Sequence, residues 1–218
     1  MAEQLWIAAG DSVLKALNEN EGYELILTGH SLGAGTACLL NIMLHSKGNQ
    51  RVEGRKVRCF AYAAPPVFSP LELVPRAVQS TTNYIHEKDV VPFLSIDSVR
   101  HVFSSVRVIE DRLKQMKRLE RYKLSIGLSE PDETLIEAVR EASHKRLEPK
   151  KGAPILAIPA AASIWMREQP SGLYDYEICD PIALSTLGVA IDIKMVEDHL
   201  PPRYEHAFEN LIPKEGED

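Results

Sequence analysis

Leu5, Ile7, Ala8, Val13, Leu14 and Leu17 fall on one face of a 3.6-residue repeat, which predicts an amphipathic helix ending in the turn-rich stretch 18–22. Residues 24–28 (Glu-Leu-Ile-Leu-Thr) then read as a short buried strand, and 34–44, apolar almost throughout, as a buried helix. A polar loop is expected over 47–55. A second strand at 57–63 stops at Pro65-Pro66, and a third at 81–86 runs into Glu87-Lys88-Asp89. Helix, strand, helix, strand, strand with long connections predicts parallel crossovers. Residues 98–123 are dense in charge, with Val99, Val102, Val106, Ile109, Leu113, Met116 and Leu119 spaced three or four apart. Ser129-Glu130-Pro131-Asp132 reads as the cap and first turn of a second helix to about residue 144. The expected form is a surface helical pair with one apolar stripe, the alternative a partner- or membrane-facing arm. Strand character returns at 153–160, and 174–178 is expected to pair as a hairpin strand, broken by Asp180-Pro181. A loop at 195–199 closes with Pro201-Pro202 before a last short helix at 204–211. The fold class expected is α/β: a mostly parallel sheet flanked by helices, one domain over 1–218 with a charged helical insertion at 98–148.

Composition narrows this picture without redirecting it. The 218 residues suffice for one substantial core, and 44% hydrophobic with 26% charged residues is ordinary for a globular chain. A net charge of −6 argues against nucleic acid as a partner and says little about neutral lipid or ester substrates. Cys38, Cys59 and Cys179 are widely spaced and odd in number, with no metal-ligand spacing. Cys38 and Cys59 read as inert core residues of a reducing compartment. The start of the chain shows no secretory signal pattern, and the longest apolar run, 153–166, is too short to span a bilayer. A cytoplasmic or peripheral-membrane location is the expectation.

The chemistry sits where the first strand meets the first buried helix. Thr28-Gly29-His30-Ser31-Leu32-Gly33-Ala34-Gly35 contains Gly-x-Ser-x-Gly, the nucleophile elbow of α/β-hydrolases. There the serine is forced into a sharp turn that lifts its hydroxyl clear of the sheet, and Gly29 and Gly33 are expected to leave room for it. The following helix points its N-terminal amides at Ser31, so the Leu32 N–H can stabilise an oxyanion. A serine needs a histidine to take its proton and a carboxylate to orient that histidine, in the chain order Ser, acid, His. Asp89, just past a strand, is the candidate acid, with Glu87 its near competitor. His30 is too close to Ser31 along the backbone to reach it and is expected to fill space beneath the turn. Of the late histidines, the order rule favours His199 on a loop over His206 in the last helix.

These residues resemble the class 3 lipases, the fungal-lipase-like group of α/β-hydrolases, and within it the sn-1-specific diacylglycerol lipase branch. The elbow matches the family nearly letter for letter. Cys59-Phe60-Ala61-Tyr62-Ala63-Ala64-Pro65-Pro66 resembles the family's next strand and Pro-Pro block. Lys88-Asp89-Val90-Val91-Pro92 resembles the segment carrying its catalytic aspartate, and Asp198-His199-Leu200-Pro201-Pro202-Arg203-Tyr204 its histidine block. The resemblance implies hydrolysis of acylglycerol, diacylglycerol-like esters through an acyl-serine, with a membrane surface as a candidate place for it. It assigns Ser31 as nucleophile, His199 as base, Asp89 as acid and Leu32 as backbone donor, with no metal or other cofactor. A catalytically impaired remnant acting as a binding module, or another serine esterase or thioesterase, are the alternatives. In the family the second oxyanion donor, lid and early strands precede the elbow. Only about thirty residues precede it here, so the expectation is an N-terminally truncated domain with an apolar sheet edge left open.

Overall fold

A computed structural model describes residues 1–46, 54–125, 155–187 and 193–212, with isolated positions at 52, 128, 130, 133, 134, 136, 137 and 189. Its frame is a five-stranded sheet in the order β1 (Leu25–His30), β2 (Val57–Tyr62), β3 (Thr81–His86), β4 (Ala162–Glu168), β5 (Tyr174–Cys179). The first four strands run parallel, and β5 returns antiparallel to β4 in the expected hairpin, Ile164 opposite Ile178. This is the core of an α/β-hydrolase fold. β1 is an edge strand, paired only with β2 among the described residues, and Ile26 on it is half exposed.

Strand alternation sorts the two faces. Val57, Cys59 and Ala61 of β2 point to α2 (Leu32–His45), where small residues meet small residues: Ala34, Ala37 and Cys38 pack on Cys59, Ala61 and Ala64. With small side chains at this contact, helix and sheet close together. Both cysteines are buried, as expected. The alternate residues Tyr62 and Tyr84 stack at 5.2 Å on the other face, beneath Phe208 of α7 (Pro201–Glu209). Asn41 ties α2 to the sheet by donating to the Ala77 carbonyl, Ser80 and Thr81, beside α3 (Pro75–Gln79).

Several expectations move. The first helix, α1 (Ala2–Glu19), forms as expected but buries Ala2, Trp6, Gly10 and Leu17, leaving Leu5 and Ile7 exposed. Two apolar rows run along it, and Trp6, Leu40 and Leu44 decide which one meets the core. The strand expected at 153–160 begins only at Ala162. Before it, Ala157 bridges Phe68, Ile158 and Ala160 fill the core, and Pro159 has no ladder donor to give. The helix expected over 98–123 is two, α4 (Ile96–Gln115) and α5 (Arg118–Ser125), because Met116 turns extended at φ −71, ψ 148. The second helix expected at 129–144, and most of the loop at 47–55, lie outside the described residues. A short α6 (Pro181–Ser185) starts at the expected break, with the Asp180 carboxylate capping Ile182 N–H. Pro201 and Pro202 occupy the first turn of α7 rather than the loop before it, where their missing donors cost nothing. Among the described residues no helix is long and apolar enough to cross a membrane.

Candidate active site

Three parallel strands end the same way. The residue after β1, Ser31, donates to the Tyr62 carbonyl; the residue after β2, Ala63, to Tyr84; the residue after β3, Glu87, to Met166. Each extends its ladder by one bond and then turns left-handed, at φ 58, 55 and 41. None is glycine, so the carboxyl rim of the sheet, where α/β folds place ligands, is also its strained rim. At Ser31 the turn lifts the side chain off the sheet and starts α2. Leu32 is the first residue of that helix and its N–H has no intrahelical acceptor, as an oxyanion donor requires.

Steric demand for glycine falls on one side of the serine. A Cβ at Gly29 would lie 2.4 Å from the Gly33 carbonyl carbon and oxygen, whereas one at Gly33 would meet nothing within 4 Å. The expectation that both glycines make room therefore holds for Gly29 and is corrected for Gly33, whose Cβ direction faces open space.

Ser31, His199 and Asp89, from three separate segments, meet in one line of hydrogen bonds. His199 Nε2 lies 2.8 Å from Ser31 Oγ, and its Nδ1 lies 3.1 and 3.0 Å from the two carboxylate oxygens of Asp89. A carboxylate only accepts, so Nδ1 carries the proton and Nε2 is left to accept from the serine hydroxyl. Asp89 is fully buried, and its remaining capacity is filled by Val91 N–H at 2.9 Å and Tyr204 O–H at 2.7 Å. Burial and the neighbouring Asp89 charge push the Tyr204 phenol well above its usual range, so it stays a donor. Glu87, the competitor, turns away: its carboxylate accepts the Glu168 N–H and its carbonyl the Trp165 indole N–H. His206 is exposed on α7, away from this line.

Further polar contacts around these residues lock the two loops together, and the sequence alone did not suggest them. His30 Nε2–H donates to the His199 carbonyl at 2.8 Å, its ring 4.6 Å from the His199 ring. His30 thus holds the His199 backbone rather than filling space beneath the turn. Asp198 accepts from Lys88 N–H through its carboxylate, while its carbonyl accepts from His86 Nδ1–H, whose Nε2 accepts from Tyr174 O–H. The only prior signal was adjacency, since Asp198 precedes His199 and His86 lies three residues before Asp89. Burial lowers the affinity of both His30 and His86 for a proton. Both are then neutral in the native chain just below pH 6.5, where the unfolded chain protonates, so stability present above that value is lost as pH falls through the lower native values. The urea midpoint should decrease from about pH 7.5 to about pH 5.5, and a midpoint that rose toward acid would contradict the assigned neutral pair. Among the described residues no cluster of His, Cys, Asp and Glu is arranged to hold a metal ion.

Residues 1–99, which include the elbow and Asp89, match the model of the lipase (class 3) family. Over that part the chain is similar to the class 3 lipases. Secreted mono- and diacylglycerol lipase A of Penicillium cyclopium is 33% identical over 105 residues, 46% of this chain and 33% of that protein. Diacylglycerol lipase-alpha of Homo sapiens is 32% identical over 77 residues, 35% of this chain and 7% of that protein. Among solved structures, lipase II from Rhizopus niveus is 26% identical and covers 44% of this chain and 37% of its own, with a TM-score of 0.39. The chain thus spans a third or less of the length of these curated relatives.

Proposed function

We propose that the chain carries the hydrolytic site of a serine lipase acting on acylglycerol esters of the diacylglycerol type. The observation supporting this most strongly is the continuous Asp89–His199–Ser31 hydrogen-bond line at the strained rim. Ser31 Oγ attacks the ester carbonyl as its proton passes to His199 Nε2, and the carbonyl oxygen, now negative, faces the Leu32 N–H at the positive end of α2. Asp89 stabilises the imidazolium without taking its proton. Collapse breaks the ester C–O bond, the His199 proton goes to the departing glycerol oxygen, and an acyl-serine remains. Water then repeats the sequence, giving up a proton to His199 and releasing the fatty acid as Ser31 regains its hydrogen. The side chains of Leu32 and Leu200, next to the nucleophile and the base, are exposed and apolar, and suit an acyl chain better than a charged substrate.

A fluorophosphonate probe should label the folded chain at Ser31, with labelling lost in Ser31→Ala. Folded protein that resists the probe would overturn the proposal, and release of fatty acid from di-, mono- and triacylglycerols then ranks the substrates.

A further inference from the structure

Two independent features of the arm α4–α5 (96–125) bear on what it meets. Val99, Phe103 and Val106, spaced as one stripe of α4, are exposed, Phe103 by 67%, and Leu119 and Tyr122 on α5 are exposed as well. The arm also inverts the chain's charge. Its thirty residues hold eight Lys and Arg against four Asp and Glu, in a chain whose net charge is −6. Two of those acids, Glu110 and Asp111, are already paired with Lys114 at 2.8 and 3.6 Å. The positive excess is therefore carried by side chains such as Arg107, Arg112 and Arg118, all exposed.

An exposed apolar stripe flanked by cations is what lies flat in the boundary layer of an anionic bilayer. The stripe enters the acyl boundary, the long basic side chains keep their heads among the lipid phosphates, and acidic lipid adds an attraction of about fivefold in affinity per basic residue near the surface. A second copy is a poorer occupant, because a symmetric pairing of arms would set basic face on basic face. The root of the arm ties it to the site. Ser98, fully buried, donates to the Phe93 carbonyl at 2.6 Å and closes a reciprocal cap with Ser95, and Phe93 packs on Trp165 at 5.4 Å. Only Val90 to Leu94 separate that cap from Asp89.

We infer that residues 96–125 form an interfacial arm that docks this protein on anionic phospholipid membranes, with the Val99–Phe103–Val106 stripe inserted and the arginines on the headgroups. It rests on the proposed lipase reading only for the location of substrate; attachment needs no serine chemistry. The full-length Ser31→Ala chain, which cannot hydrolyse lipid under that reading, should float with vesicles of phosphatidylcholine and phosphatidylserine far more than with phosphatidylcholine alone, and salt should weaken binding. Phe103→Ser should lower partitioning about tenfold and Arg107→Gln about fivefold. Both positions are exposed, so unchanged circular dichroism should accompany the loss, and in the Ser31 background soluble-ester hydrolysis should be unaltered. Equal binding to both vesicle types, binding indifferent to both substitutions, or a dimer abolished by Phe103→Ser without vesicle binding would overturn the inference. Flotation as described, together with a folded parent chain that keeps Ser31 yet resists fluorophosphonate, would refute the hydrolase alone.

Discussion

Exchanging Asp89 for asparagine is expected to slow acylation of Ser31 by about 10⁴-fold while leaving the fold in place. The carboxylate accepts three donors: His199 Nδ1–H, Tyr204 O–H and Val91 N–H. An asparagine that keeps its oxygen on Val91 turns its NH₂ toward His199. The imidazole then has to accept at Nδ1 and carry its proton on Nε2, aimed at Ser31 Oγ. In that tautomer it cannot take the serine's proton. The rate of fluorophosphonate labelling reads this step directly and near-ultraviolet circular dichroism reads the fold. A variant that stays within about tenfold of the parent would remove Asp89 from the acid's role.

The largest effect on stability is expected at Gly29. A methyl group there would sit 2.4 Å from Gly33 carbonyl atoms and 2.7 Å from the Ala34 nitrogen. All three are backbone, so nothing can swing aside, and β1 and α2 must part at the point where the elbow is formed. Gly29→Ala should cost about 3 kcal/mol or more, a fall of about 6–12 °C in Tm for a chain this long. Gly33→Ala should leave Tm unchanged or raise it slightly, because its Cβ meets open space and alanine favours the helix by up to about 1 kcal/mol. Thermal unfolding of the two variants side by side tests the asymmetry, and equal losses would refute it.

Much of the sheet was legible because its strands are short runs of strand-forming residues bounded by strong punctuation: 81–86 coincides with β3, and the elbow, Pro65-Pro66 and Asp180-Pro181 each end an element near where expected. That Ser31, Asp89 and His199 would converge was legible for a similar reason, since each sits in a distinctive local motif. What the sequence withheld depends on partners far away along the chain. Leu5 and Ile7 are as apolar as Trp6, and only the position of α2 decides that Trp6 is the residue buried. Tyr204 reaches Asp89 across 115 positions and Asp198 reaches Lys88 across 110, with no local pattern to announce either. His30 was judged by its distance from Ser31 along the chain, yet its partner is the carbonyl of His199. The break at Met116 also left no mark in a sequence rich in helix formers on both sides.

The left-handed turns at Ser31, Ala63 and Glu87 carry a consequence for how such a chain evolves. A non-glycine residue held there costs about 1–3 kcal/mol, so three along one rim use up a sizeable part of the margin by which a domain stays folded. Selection for robustness alone would replace them with glycine, and at the first of the three it would erase the hydroxyl. Keeping a serine at that turn is sustainable only while the small-residue seam between α2 and β2 supplies the surplus. Drift in that seam would then be felt first as loss of the geometry at Ser31, before the sheet itself came apart.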